Sequence, residues 1–110
     1  MGLCEKTCVP CKGGIPPLSR EDAQNLVKQV PDWHLSETGT SISRKFLFKT
    51  FMEAMEFANR VAHLAEAEGH HPQITIGWGY CTVHDMTHKI KGLHENDFIM
   101  AAKTGALLGS

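Results

Sequence analysis

The stretch from Thr50 to Pro72 constrains this chain more than any other, because it reads as a helix that has to stop at a set place. Phe51, Ala54, Met55, Ala58, Val61, Ala62 and Ala65 recur at helical spacing and form one apolar stripe, with Phe57 and Leu64 beside it. Glu53, Glu56, Arg60, His63 and Ala67 fall on the opposite face. Thr50 with Glu53 three residues on fits a capping box, in which each side chain satisfies a backbone N–H of the first turn. At the far end Gly69 suits a left-handed cap, and Pro72 bars any continuation. The helix therefore ends at a bend carrying His70 and His71, with Glu66 one turn back at the margin of the apolar stripe.

The segments on either side change period from 3.6 to 2. Ser41 to Phe48 alternates, with Ile42, Arg44, Phe46 and Phe48 on one face and Ser43, Lys45 and Leu47 on the other. With Trp33 to Ser36 and a turn at Glu37-Thr38-Gly39 it predicts a hairpin. After Pro72, Ile74, Ile76 and Trp78 alternate against Thr75 and Gly77, and Cys81 to Thr87 returns. Gly79-Tyr80 is the expected turn, with glycine in its first central position. Ahead of these, Ser19 suits an N-cap, Leu18, Ala23, Leu26, Val27 and Val30 keep helical spacing, and Pro31 ends the run. Glu95 to Leu107 predicts a last helix with Phe98, Ile99, Ala102 and Leu107 inward, and Ala101 and Ala106 beside them. Glu95 and Asp97 place negative charge in its first turn, where the helix dipole favours it. Helix, two strands, helix, two strands, helix is an α+β order, with one antiparallel sheet and helices on one face. Residues 1–17 show no apolar period and read as an irregular Cys/Gly/Pro-rich arm ahead of a single domain, 18–110.

Composition sets the class of chemistry. A chain of 110 residues suits one domain, and 42% hydrophobic with 21% charged residues is ordinary globular usage. A formal net charge of -1 argues against nucleic acid or a membrane surface as partner. No apolar run nears the ~20 residues of a membrane span, and the N-terminus lacks the order of a signal peptide, so the cytoplasm is the expected location. Seven histidines are many for this length. Imidazole, with its pKa of about 6.5, is the side chain suited to proton transfer near neutrality. A single histidine at a helix end or in a loop is ordinarily just polar surface, so convergence is what matters. Glu66 lies one helical turn before His70 and, if the last turn stays helical, can reach that ring, orient it and favour its protonated form. The hairpin leaving Pro72 runs about eight residues out and about eight back, which returns His88 to the same end. Asp97 is a further polar candidate.

Such a set is not the expected metal site. Adjacent histidines rarely aim both rings at one ion, and the His-x-x-x-His spacing of helical zinc ligands is absent. The arm's Cys4-x-x-x-Cys8-x-x-Cys11 resembles the iron–sulfur loop of radical enzymes that use S-adenosylmethionine, but this chain is too short for their barrel. A closed four-ligand zinc site would need Cys81 or a histidine to join. The arm reads as flexible thiols.

With these residues assembled, the chain closely resembles the pterin-4a-carbinolamine dehydratases from about Ile15 to Leu108. The resemblance is carried by Glu66-x-x-x-His70-His71-Pro72, then Trp78, Thr87-His88, Gly92-Leu93 and Glu95-Asn96-Asp97-Phe98. The arm Cys8-Val9-Pro10-Cys11-Lys12-Gly13-Gly14 looks like the lead segment of many bacterial members. The resemblance implies a four-stranded antiparallel sheet with helices on one face. It implies a lyase that removes water from 4a-hydroxytetrahydrobiopterin to give quinonoid dihydropterin, recycling the cofactor of aromatic amino-acid hydroxylases. It also implies catalysis by His70, His71 and His88 with no metal or organic cofactor, support from Glu66, Asp97, Pro72 and Trp78, and a homodimer or a tetramer of two dimers. Animal members also act as coactivators that bind a homeodomain transcription factor.

Three positions depart from the family pattern. His94 stands where an N-cap threonine is usual, Gly79-Tyr80 replaces an Asn-Lys turn, and Asp85 occupies an inward strand position where an apolar residue is expected. A buried unpaired carboxylate is costly, so the strand should bulge at Asp85 or supply it with a partner. The rival reading built on these departures is a family fold that binds a pterin or a partner without turnover.

Overall fold

The computed structural model describes residues 2–9 and 15–109. The elements run α1 (Arg20–Val27), β1 (His34–Leu35), β2 (Ile42–Leu47), α2 (Phe51–Glu68), β3 (Gln73–Gly77), β4 (Tyr80–Asp85) and α3 (Glu95–Ala106). Single 3-10 turns sit at Leu3–Glu5, His88–Ile90 and Leu107–Gly109. The strands form one antiparallel sheet in the order β1-β2-β4-β3. The α+β order expected from the sequence is the order observed.

The caps follow the side-chain chemistry. Ser19 Oγ accepts the Asp22 N–H at 3.1 Å to open α1, and Thr50 Oγ1 accepts the Glu53 N–H at 3.1 Å to open α2. The core lies between one face of the sheet and the three helices. Ile42 and Phe46 of β2 and Cys81 and Val83 of β4 meet Ala54, Phe57, Ala58 and Val61 of α2, Phe98, Ile99 and Ala101 of α3, and Ala23 of α1. Phe57 is its centre, with ring centroids 4.6 Å from Phe46 and 5.2 Å from Phe48. The outward face carries Ser43, Lys45, Leu47, Thr82 and His84.

Several local expectations shift. The apolar face of α2 is rotated toward Phe57, which leaves Phe51 and Ala62 exposed. In α3, Met100 and Thr104 are fully buried, whereas Ala102 and Leu107 are half-buried and Ala106 is exposed. The β3–β4 turn falls one residue earlier than expected: Gly77 pairs with Tyr80, and Trp78-Gly79 is the turn. Gly79 takes φ 78° there, in the second central position rather than the first. The described part of the arm is not loose. Leu3 is 5% exposed and belongs to the core cluster, and Lys6 Nζ lies 2.9 Å from Glu95 Oε2. Cys11 lies outside the described residues. No helix among those described is long and apolar enough to cross a membrane.

Candidate active site

The bend at the end of α2 sets the site. Gly69 adopts φ 67°, ψ 26°, and its N–H and that of His70 turn back onto the carbonyls of the last helical turn. The chain therefore leaves the helix at Glu68, before His70 reaches the face below Glu66. The expected Glu66–His70 pair does not form. Glu66 Oε1 instead lies 3.1 Å from His71 Nε2, both side chains being largely exposed. His70 turns inward, where its Nε2 lies 2.7 Å from Oδ1 of Asp97.

Asp97 is placed by the start of α3. His94 works as the cap despite its unusual identity: its Nδ1 accepts the Asn96 N–H at 3.0 Å, and its own N–H donates to Asp97 Oδ2 at 2.9 Å. Thr87 Oγ1 donates to the same Oδ2 at 2.7 Å. With no solvent exposure, Asp97 thus has all its neighbours supplied by the protein. Burial alone would lower the His70 pKa, but the hydrogen bond and charge of Asp97 outweigh burial and raise it. His70 is thereby biased toward its cation.

His88 arrives as the hairpin arithmetic expects. The β3–β4 register pairs Gln73 with His84, so β4 carries the chain back past the bend. Beyond Asp85, Thr87 bridges Gly92 and closes a short loop, and His88 opens the 3-10 turn within it, exposed to solvent.

Asp85 resolves neither way that the sequence suggested. The strand does not bulge, since Asp85 keeps its pairing with Ile42 in the β2–β4 register. Both carboxyl oxygens are buried without a hydrogen-bond partner among the described residues. Burial first, and then the charge of Asp97, push its pKa up to about 8, with His70 opposing. Asp85, His70 and Asp97 bring ligand atoms within 4.8 Å of one another. Because Asp97 is already committed to three donors, the cluster's chemistry is that of shared protons around a buried carboxyl.

A pocket of about 470 Å³ opens over this bend, a size suited to a small heteroaromatic ligand. His70, His71 and His88 all line it, together with Thr87 and Met86. Glu66 and Pro72 are not among its lining residues, and Trp78 stands 77% exposed at the β3–β4 turn, the opposite end of β3. Glu68, Asn96, Cys8 and Val9, which the sequence did not mark as substrate-site residues, line it too. Glu68 carried no local signal beyond being polar near a helix end, and Asn96 stood out only as part of the Glu95-Asn96-Asp97-Phe98 run. Thr87 was visible only through its place beside His88.

The family profile described as Pterin 4 alpha carbinolamine dehydratase matches residues 16–107. A relative from Methylococcus capsulatus, provisionally named pterin-4-alpha-carbinolamine dehydratase, is 59% identical over 105 residues, covering 96% of this chain and 92% of its own. Another from Halorhodospira halophila, with the same provisional name, is 53% identical over 107 residues, covering 97% and 98%. Among solved structures, a transcriptional coactivator/pterin dehydratase from Brucella melitensis superposes with TM-score 0.77 at 28% identity, covering 83% of this chain and 97% of that one. A pterin dehydratase-like protein identified as a RuBisCO assembly factor in the alpha-carboxysome gives TM-score 0.61 at 26% identity, covering 72% and 92%. With the profile spanning nearly the whole domain and both relatives aligned end to end, this chain belongs to the pterin-4a-carbinolamine dehydratase family.

Proposed function

We propose that this chain dehydrates 4a-hydroxytetrahydrobiopterin, and the observation that carries the reading is the meeting of His70, His71 and His88 in one pocket. The reaction breaks the C4a–OH bond, removes the proton on N5 and forms the C4a=N5 double bond, releasing water and quinonoid dihydropterin. It needs one acid for the departing hydroxyl and one base for N5. His70 is the natural acid, because Asp97 favours its charged form; with Nε2 occupied by Asp97, it would donate through Nδ1. His88, in the 3-10 turn beyond β4, is assigned the N5 proton. His71, steadied by Glu66 at 3.1 Å, is assigned substrate positioning and proton relay. No step asks for a metal or an organic cofactor. The reading extends to recycling the pterin cofactor of aromatic amino-acid hydroxylases in the cytoplasm, by a homodimer or a tetramer of two dimers.

The test is the decay of 4a-carbinolamine absorbance with purified protein. His71→Ala and His88→Ala should each cut the accelerated rate by a factor of about 10²–10⁴, the usual contribution of a positioned acid or base. Full activity in both variants would remove the histidine mechanism. A second reading, binding without turnover, is favoured by the similarity to the RuBisCO assembly factor. It predicts that the wild type binds a pterin or a protein partner yet leaves the uncatalysed dehydration rate unchanged.

A further inference from the structure

We propose that the N-terminal arm is a wall of the substrate pocket, strapped down by Glu68 and Asn96, and that it sets which pterin substituent the site accepts. The inference rests on the dehydratase reading and deepens it. The described arm, residues 2–9, lies ahead of the 16–107 segment that the family profile matches, while the relatives from Methylococcus and Halorhodospira align over nearly the whole chain.

Its attachment is specific. Cys8 N–H donates to Glu68 Oε1 at 2.8 Å, where α2 ends. Val9 N–H donates to Asn96 Oδ1 at 3.0 Å, while Asn96 Nδ2 donates to the Val9 carbonyl at 2.7 Å. That reciprocal pair treats Val9 as a neighbouring strand would, satisfying both of its backbone groups at once. Asn96 is 2% exposed, so its amide is fixed in the body of the protein and the arm is what it holds. Leu3 in the core and Lys6 on Glu95 anchor the segment further back.

Held this way, Cys8 and Val9 line the same pocket as the three histidines. The pterin ring has to meet the imidazoles, because the bonds that change are on the ring. The wall made by Cys8, Val9 and Met86 is left for the substituent at C6. Cys8 offers a neutral surface there: burial, and then the neighbouring Glu68 carboxylate, push its thiol up to about 12. Glu68 in turn is held below the usual carboxylate range, chiefly by the Cys8 N–H. The strap is thus a charge-assisted hydrogen bond at one residue and a paired amide at the next.

The experiment measures kcat, KM and equilibrium binding of a stable dihydropterin, using pterins with a methyl or a dihydroxypropyl group at C6. Glu68→Ala should raise KM and Kd by about ten-fold, the worth of one hydrogen bond to a charged group, with a much smaller change in kcat. Glu68→Gln keeps an acceptor for the Cys8 N–H and should restore most of that loss. It discards the 3.5 Å pairing with Lys103, so failure of the rescue would assign the effect to that ion pair and overturn the strap. Val9→Trp should change the ratio of KM values for the two substituents at least several-fold. Amide exchange at Cys8 and Val9 should quicken in Glu68→Ala and not in Glu68→Gln. If the wild type turns over and the arm variants match it in KM and substituent preference, this inference fails alone. A wild type that neither binds nor dehydrates any pterin ends the dehydratase reading and takes this inference with it.

Discussion

Asp85 shows at the scale of one residue how a family fold can carry a group its core does not need. A carboxyl with no exposure and no hydrogen-bond partner among the described residues is best held as the neutral acid. Its folded-state pKa of about 8 lies far above the 3.8 of a free aspartate, so between those values the folded chain binds the extra proton. Stability contributed this way is complete at low pH, falls as pH rises from about 4, and levels off above about 8. His70 adds the same sign: with its pKa raised, its share is present below 6.5 and disappears as pH climbs through the folded value. Thermal unfolding of the wild type should therefore occur at lower temperature at pH 8 than at pH 6. Asp85→Leu should flatten that slope and gain roughly 2–4 kcal/mol at pH 8, below the full value of the shift because the new side chain must repack. Asp85→Asn should flatten the slope with a smaller gain, since it stays polar and unpartnered. An unchanged pH slope in both variants would mean that Asp85 finds a partner in solution.

The elements around the bend were legible in the sequence where a period or a cap fixed them, and illegible where a tertiary contact did. Thr50, Gly69 and Pro72 bound α2 correctly because capping and left-handed backbone are local chemistry. The pairing of Glu66 with His70 depended on the last turn staying helical, and Gly69 ends the helix one residue before His70. The first hairpin turns at Glu37-Thr38-Gly39 as expected, whereas the second turns one residue early, since a period of two says nothing about which pair of residues turns. The partnership of His70 with Asp97 spans 27 residues, and the docking of Cys8 on Glu68 spans 60, so no window of sequence contains either. Gly69 is the element-scale position on which most rests. A Cβ there would meet nothing within 4 Å, so the cost of Gly69→Ala is purely conformational, about 1–2 kcal/mol for a left-handed residue. Gly69→Asn should cost less, since Asn tolerates that region. Because His70 and His71 follow directly, dehydratase activity should fall more in the Ala variant than in the Asn variant. Equal activity and equal Tm in the two would show that the bend is set by Pro72 rather than by Gly69.

At the scale of the whole molecule, the core and the site are built at different places on the same elements, which lets them be separated by experiment. Phe57 sits mid-helix against Phe46 and Phe48, whereas the pocket residues lie at the C-terminal ends of α2 and β4, at the start of α3 and in the N-terminal arm. The sheet order puts β4 between β2 and β3, so the strand that delivers Thr87 and His88 is held on both sides. A loss of packing at Phe57 should therefore loosen the fold as one unit before it displaces the imidazoles. Phe57→Ala removes a ring that is 3% exposed and should cost about 3–5 kcal/mol, enough to lower Tm by well over ~10 °C in a domain this small. Phe57→Leu keeps most of the volume and should cost roughly 1–2 kcal/mol. At a temperature where the Leu variant is still fully folded, kcat per folded molecule should equal that of the wild type. Denaturant unfolding followed by tryptophan fluorescence and by far-ultraviolet circular dichroism should give coincident transitions, with Trp33 in the core as one reporter. A Phe57→Leu protein that is folded yet several-fold slower would show that the core transmits strain to the bend, and that Gly69 does not insulate the histidines from the helix that carries them.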